Sequence, residues 1–329
     1  MSEMLELMRI NLLSPMVLAF VLGIIVAAVK SDLRLPDSIM QAISVYLLFS
    51  IGLEGGYDLA RAPLFSFFGP ALVAVVLGAL IPVAAYLALT TFGRLDASNA
   101  IAIGIHYGGV SSVSLSAGIA FLNELGVDFE GFLPTLYVVM ELPAFMVALL
   151  LVAWRIGADT QSLGNVARVA LTGKTVILLG GGVVIGLLSG DAGEALMEPF
   201  FFDLFPGILT LFLLQMGTVV AERFDELQNV NFFVIFYAIV GPMIHGFAAV
   251  FLGTLTGLSV GGAFILGTIA SSASFISAPV VVSANIPKAN PGIHMTTALV
   301  ITFPFTLTLG LPLTYEFALW MSRIGIGAG

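Results

Sequence analysis

Two clusters of small and polar residues interrupt long apolar runs in this chain. The first extends from Gly108 to Ser114 and reads GGVSSVS, and the second extends from Ser271 to Pro279 and reads SSASFISAP. Glycine lowers helix propensity by about 1 kcal/mol, proline removes a backbone donor, and serine offers the backbone a competing side-chain partner. Each cluster therefore predicts a break within a helix.

A broken helix creates a place where an anion can bind. The segment that restarts after the break exposes unpaired N–H groups, and its end carries roughly half a positive charge. Two such ends facing each other offset about one negative charge without lysine or arginine, which suits a small oxyanion. The hydroxyls expected to cap these ends or bind the ligand belong to Ser111, Ser112, Ser114, Ser274 and Ser277.

Carbonyl groups freed beside each break could hold a monovalent cation. The alternative is close packing, because glycine and serine also let membrane helices approach one another.

Five ionisable residues fall inside apolar runs or at their edges: Glu54, His106, Glu141, His245 and Glu316. A charge at the centre of a membrane span costs at least about 2.5–3.5 kcal/mol, so such groups are functional candidates. We expect Glu141 to be a cation ligand, a proton carrier or the partner of a serine cluster. We expect His106 near the first break, whereas His245 is equally compatible with a helix contact and Glu54 and Glu316 with an interfacial position.

The composition places the chain in the membrane. Of its 329 residues, 59% are hydrophobic and only 9% are charged, whereas soluble domains average about 25% charged residues. This excludes a soluble enzyme, a disordered protein and a coiled coil. With 11 Lys and Arg against 20 Asp and Glu, nucleic acid is not an expected partner. No motif for hydrolase, zinc or nucleotide chemistry is present, so we expect a protein that is not an enzyme and has no cofactor except a possible sodium ion.

Apolar runs long enough to cross a bilayer predict ten membrane spans in an all-α polytopic protein. Their approximate limits are 11–29, 38–56, 64–91, 97–122, 132–154, 173–189, 200–220, 230–254, 260–283 and 295–320. We expect the second and sixth to be short.

Three segments of the first half have counterparts about 160–165 residues later, in the same order: 48–60 with 213–227, 100–114 with 262–277, and 138–145 with 299–306. Five spans per half predict a 5+5 inverted repeat, as in secondary transporters, with an interrupted helix in each half. The predicted units are a first repeat over 1–155, a short cytoplasmic linker over 156–172 and a second repeat over 173–329. The alternative is ordinary similarity between glycine- and alanine-rich helices.

The basic residues predict the orientation. With these spans, 3 Lys or Arg fall on the side of the two termini and 8 on the other side. Cytoplasmic loops are enriched in Lys and Arg, so we expect both termini outside.

Six motifs resemble those of the sodium-dependent bicarbonate transporter family of photosynthetic and related bacteria, and they occur in order along essentially the whole chain. They are IGLEGG (51–56), YGGVSSVS (107–114), LYVVMELPA (136–144), GPMIHGF (241–247), IASSASFISAP (269–279) and NIPKANP (285–291). The resemblance implies a homotrimer in the bacterial inner membrane, with a gate part and a core part. It also implies two discontinuous crossing helices, with bicarbonate and sodium bound between the two breaks.

The resemblance carries site residues over by position. Those implied for the first half of the site are Gly108, Gly109, Ser111, Ser112 and Ser114, and those for the second half are Ser271, Ser272, Ser274, Ser277 and Ala278. Of these, we assign Ser114 and Ser271, with Glu141, to cation binding or coupling, and the others to the substrate. Phe275 completes the substrate set, although it replaces an aspartate that is linked to sodium in characterised members.

Three functions follow for the chain. The first is sodium-coupled uptake of bicarbonate or another small monovalent oxyanion by alternating access. The second is proton-coupled or sodium-independent transport of a small organic carboxylate, because Phe275 removes one negative charge and adds an aromatic wall. The third is a membrane receptor that binds an anion without moving it. Family members bind a PII-like regulator from the cytoplasmic side, and the short linker leaves that partner open here.

Overall fold

The computed structural model describes residues 2–61, 64–157 and 172–325. All regular secondary structure in these three ranges is helical. Eight helical spans of the described residues are long and apolar enough to cross a membrane, one of them made of two helices with a break between them, and a bent pair near the N-terminus passes the same test when counted together. The chain is therefore a multi-pass, all-helical membrane protein.

Seven helices make up the described part of the first half: α1 (Ser2–Leu13), α2 (Pro15–Ala28), α3 (Asp37–Arg61), α4 (Leu64–Thr91), α5 (Ala97–Gly108), α6 (Ser112–Leu125) and α7 (Leu133–Ile156). Helices α1 and α2 are bent by 61°. The bend lies at Ser14, whose hydroxyl accepts a hydrogen bond from the Val17 N–H and so caps α2. Pro15 follows as the first residue of α2, where its missing N–H costs nothing.

Six helices make up the described part of the second half: α8 (Lys174–Phe201), α9 (Phe205–Glu222), α10 (Phe232–Leu255), α11 (Val260–Ala270), α12 (Ser277–Asn285) and α13 (Pro291–Arg323). A short 3₁₀ helix over Phe224–Asn229 joins α9 to α10. Helix α13 widens to π-helical geometry over Thr296–Thr302 and Thr306–Gly310. Such stretches are rare and occur frequently at functional sites.

Glycines bring helices of the two halves into backbone contact. A Cβ atom on Gly52 of α3 would lie 3.1 Å from the Cα of Gly182 of α8, and one on Gly56 would lie 2.9 Å from the Cα of Gly186. Helices α2 and α9 approach in the same way, through Gly23 and Gly217. Small residues permit such close approach, which maximises van der Waals contact between membrane helices.

The helices that carry the serine clusters lie deep in the molecule. The segment Ala97–Leu125, which contains α5 and α6, is 94% buried in its most apolar part. Helix α5 packs against α4 and α7, and α11 packs against α10 and α13. The first cluster and residues 271–274 of the second are buried in protein, which is the setting in which a membrane protein tolerates irregular backbone.

Several predicted span limits were wrong. The second span, expected at 38–56, is the 25-residue helix α3, whereas the sixth, expected at 173–189, corresponds to the part of α8 that precedes a kink at Gly190. Gly190 has non-helical backbone with φ 60°, and a second helical segment follows it to Phe201. Asp191 and Glu194 pair there with Arg61 at the end of α3. Residues 158–171 of the predicted linker lie outside the described residues.

Candidate functional site

The first break is three residues long. Helix α5 ends at Gly108 and α6 starts at Ser112, with Gly109 and Ser111 in extended conformation between them. The Ser111 hydroxyl accepts a hydrogen bond from the Ser114 N–H at 3.2 Å and so caps α6. The Tyr137 hydroxyl of α7 donates to the Val110 carbonyl at 2.8 Å. A cap at the start of α6 and an anchor from α7 thus hold this break in shape.

The second break is longer and depends on its own serines. Helix α11 ends at Ala270 and α12 starts at Ser277. The Ser272 hydroxyl donates to the Ile269 carbonyl at 2.7 Å, which satisfies an acceptor at the end of α11. The Ser274 hydroxyl accepts from the Ala278 N–H at 3.3 Å, which satisfies a donor in the first turn of α12. Sequence analysis expected the interruption to reach Pro279, but Ser277, Ala278 and Pro279 already belong to α12.

The two breaks are in direct contact. The Ser111 N–H donates to the Ser272 hydroxyl at 2.9 Å, and the Ser274 N–H donates to the His106 carbonyl at 2.8 Å. A Cβ atom on Gly109 would lie 2.8 Å from the Cβ of Ser274, so only glycine fits at that position without a shift. The N-terminal ends of α6 and α12 are thereby brought to one buried region of the protein.

Glu141 of α7 belongs to the same region. Its side chain is 2% exposed. The Ser277 hydroxyl donates to its Oε1 at 2.6 Å, and the Ser274 and Ser277 hydroxyls are hydrogen-bonded at 2.7 Å. A carboxyl group of the protein itself therefore lies at the N-terminus of α12, where the helix dipole favours negative charge.

Two cavities border the contacting breaks. One, of about 440 Å³, is lined by residues of α7, the start of α8, and α12 with the residue before it, among them Glu141, Phe145, Lys174, Ile276 and Ser277. The other is a void of about 10 Å³ between α3, α6 and α9, and Ser44, Ser112 and Ser116 are among the residues that line it. Since one water needs about 10–15 Å³ on this measure, the void has room for about one water, and the larger cavity for many.

The remaining predicted residues lie in the breaks or the adjoining turns, but their side chains face different neighbours. A Cβ atom on Gly108 would meet Pro82 of α4, and Ser271 packs against Gly246 of α10. The Phe275 ring is half-buried, and its centroid lies 5.1 Å from that of Phe303 on α13. Gly108 and Ser271 thus stand at helix contacts, while Phe275 packs against Phe303 and is not among the residues that line either cavity.

The other ionisable candidates are distributed over the molecule. Glu54 lines a separate cavity of about 570 Å³, together with Asp58, Arg61 and Glu130. Glu316 forms a salt bridge with Arg323 at 3.7 Å. The His245 Nε2 atom lies 3.4 Å from the Tyr237 hydroxyl within the core. None of these three candidates hydrogen-bonds to the two breaks among the contacts found in the described residues.

Sequence reasoning overlooked His294. Its Nδ1 atom lies 2.8 Å from the Nε2 atom of His106, whose own Nδ1 atom lies 2.5 Å from the Ser274 carbonyl. The predicted tenth span began at residue 295 and so excluded this histidine, whereas α13 begins at Pro291. A buried histidine at a span edge was the available signal, and the error in the span limit concealed it.

A known protein family matches most of the chain. The profile of the Na⁺-dependent bicarbonate transporter superfamily matches residues 15–319 of this chain. No curated protein matches it. The matched range includes both breaks, Glu141 and both histidines of the His106–His294 pair.

Proposed function

The chain belongs to the Na⁺-dependent bicarbonate transporter superfamily, and we propose that it is a secondary active transporter for a small monovalent oxyanion, with bicarbonate as the leading substrate and sodium as the coupled ion. The observation that carries this proposal is the contact between the two breaks. It brings two helix N-termini and their unwound backbone to one buried place, which is the way in which secondary transporters build ion and substrate sites.

The anion is proposed to bind at the N-terminus of α6. This end is capped by Ser111, whose backbone N–H also contacts the second break through the Ser272 hydroxyl. The end of α12 faces the Glu141 carboxyl group, so an added anion is repelled there whenever that group is ionised. Helix N-termini bind anions through backbone N–H groups and the helix dipole, without a basic side chain.

The coupled cation is proposed to bind at Glu141. Its carboxyl oxygens and the Ser274 and Ser277 hydroxyls form a continuous set of oxygen atoms, and hard cations prefer oxygen ligands. Phe275 replaces the sodium-linked aspartate of characterised family members and brings no charge to the second break. Glu141 of α7 would supply the carboxylate there in its place. Cation binding at Glu141 would neutralise the repulsion of the anion and so couple the two ions.

The size of the larger cavity favours the second candidate, a proton-coupled or sodium-independent transporter of a small organic carboxylate. About 440 Å³ is far more than a four-atom anion needs, and the walls include Phe145, Ile276 and Val280. An apolar body of a larger substrate would pack against these side chains. In this case Glu141 would carry the proton.

We also propose ten crossings arranged as a 5+5 inverted repeat over 1–155 and 173–329. The tight pairs α2–α9 and α3–α8 support it, because a twofold exchange of the halves converts one pair into the other. The two broken helices, α5–α6 and α11–α12, then occupy equivalent fourth places.

Orientation and assembly are proposals as well. The distribution of Lys and Arg, 3 against 8, supports cytoplasmic placement of the linker and outside placement of both termini. The homotrimer, the bacterial inner membrane and a PII-like regulator rest on the family resemblance.

Uptake by purified protein in liposomes tests the function. We expect saturable uptake of labelled bicarbonate under an inward sodium gradient, and its loss when potassium replaces sodium. Uptake of a short monocarboxylate driven by a proton gradient, without sodium, would establish the second candidate instead. Anion binding without flux of either substrate would contradict transport and identify a receptor.

A further inference from the structure

His106 makes two contacts with the second break, one with the backbone N–H of Ser274 and one with its backbone carbonyl. The Ser274 N–H donates to the His106 carbonyl at 2.8 Å, and the His106 Nδ1 atom lies 2.5 Å from the Ser274 carbonyl. His106 is fully buried, so both bonds are shielded from water. The last turn of α5 thereby holds both backbone polar groups of Ser274, which lies in the middle of the non-helical segment 271–276.

The tautomer of His106 follows from these contacts. A carbonyl oxygen can only accept a hydrogen bond, so the Nδ1 atom of His106 must carry the proton. In the neutral ring, Nε2 is then an acceptor, and it lies 2.8 Å from the Nδ1 atom of His294. His294 of α13 therefore donates from Nδ1 and stabilises the one tautomer of His106 that can hold Ser274.

Ser274 transmits this restraint to the candidate site. Its hydroxyl bonds to Ser277 at 2.7 Å and accepts from the Ala278 N–H at 3.3 Å, and Ser277 in turn donates to Glu141. A shift of the Ser274 backbone would therefore remove the cap of α12 and move the hydroxyls bound to Glu141.

We propose that His106 is a positioning residue that holds the second break in its ligand-binding conformation, with His294 keeping its ring in the required tautomer. This inference deepens the proposed function and rests on it. His106 acts through Ser274 and Ser277 and needs no contact with the substrate.

Two conservative substitutions of His106 distinguish the hydrogen bond made by its Nδ1 atom from the one made by its Nε2 atom. The Nδ2 atom of asparagine occupies the place of histidine Nδ1, so His106→Asn retains a donor for the Ser274 carbonyl but cannot reach His294. The longer His106→Gln places its amide where Nε2 lies and leaves the Ser274 carbonyl without a donor. The control is His245→Asn, since His245 is also buried but contacts Tyr237 instead of the breaks.

The chain has no cysteine, so a single Ile276→Cys substitution can carry a spin label without background. Ile276 lies in the second break and is 38% exposed. Electron paramagnetic resonance in liposomes then reports the mobility of the break, with no substrate present. We expect an immobilised label when His106 is retained, and also in the His106→Asn and His245→Asn variants. With His106→Gln we expect a mobile population about two- to tenfold larger, the factor that corresponds to one lost hydrogen bond.

Uptake measurements provide the second readout. We expect His106→Gln to raise the half-saturating substrate concentration by a larger factor than it lowers the maximal rate, and His106→Asn to restore both. Equal label mobility in the asparagine and glutamine variants would overturn the inference, whether both are immobile or both mobile. Because the label requires no substrate, this failure is distinct from a wild-type protein that transports neither bicarbonate nor a monocarboxylate.

Discussion

At the scale of single residues, the chemistry of the site depends on hydroxyls and one carboxyl group. The hydroxyls of Ser111, Ser272 and Ser274 each accept a backbone N–H at the breaks. Serine can fill this role because its hydroxyl both donates and accepts hydrogen bonds, and its hydrogen rotates freely about the C–O bond. Glu141 adds a carboxyl group, which accepts a hydrogen bond from the Ser277 hydroxyl.

Ser111→Ala should weaken anion binding while the protein still folds. The substitution removes the cap of α6, which costs about 0.5–2 kcal/mol, and it leaves the Ser114 N–H without its partner. The matched control is Ser14→Ala, which removes the same kind of cap from α2. Calorimetric titration with bicarbonate should show reduced affinity for the first variant and wild-type affinity for the second. Equal affinities in the two variants would contradict the assigned site.

Glu141→Gln should abolish the stimulation of uptake by sodium. Glutamine can still accept the Ser277 hydroxyl through its amide oxygen, but it brings no negative charge for a cation. The control is Glu124→Gln, because Glu124 is exposed near the end of α6. Initial uptake rates across a sodium series should become flat for the first variant alone. A preserved sodium dependence would exclude Glu141 as the coupling group.

At the scale of helices, the close contacts between the two halves depend on glycine residues, which have no side chain to keep the backbones apart. A Cβ atom on Gly186 would lie 3.0 Å from the Cα of Gly56, whereas one on Gly180 of the same helix would meet nothing within 4 Å. Overpacking of this kind typically costs about 1–3 kcal/mol.

Gly186→Val should therefore lower the thermal unfolding temperature of the detergent-purified protein, and Gly180→Val should not. Both substitutions introduce the same β-branched residue into α8, so helix propensity and hydrophobicity change equally. Thermal unfolding monitored by tryptophan fluorescence or by aggregation compares them directly. If both variants unfold at the same temperature, the α3–α8 contact contributes little to stability.

At the scale of the whole molecule, the inverted repeat makes a prediction about sidedness. The loop after α6 and the loop after α12 occupy equivalent places in the two halves, so an odd number of spans per half puts them on opposite faces. Exposed positions are available at both places, Glu124 in the last turn of α6 and Lys288 in the loop after α12.

Single cysteines at these positions should react from opposite sides of the membrane. In intact cells we expect an impermeant maleimide to label Glu124→Cys but not Lys288→Cys, and permeabilised cells to show labelling of both. The absence of native cysteine removes background reaction. Labelling of both variants in intact cells would contradict the inverted arrangement.

Much of the fold follows from local pattern. Apolar runs predicted most of the long helices, since a helix in lipid needs a continuous stretch of apolar residues. The two breaks were predicted near their observed places because glycine, serine and proline act within a turn of the helix. Span ends were less predictable: beyond the kink at Gly190, α8 has a second segment, whose Asp191 and Glu194 pair with Arg61 in another helix. That partner lies some 130 residues away.

By itself, the sequence determined the membrane class, the interrupted helices and the residue types available for chemistry, because these depend on composition and near neighbours. Tertiary structure decided which groups meet. Glu141 reaches Ser277 across 136 residues, and His106 reaches His294 across 188. Such contacts depend on how whole helices pack, and helical periodicity records which face of a helix is apolar but not which helix covers it.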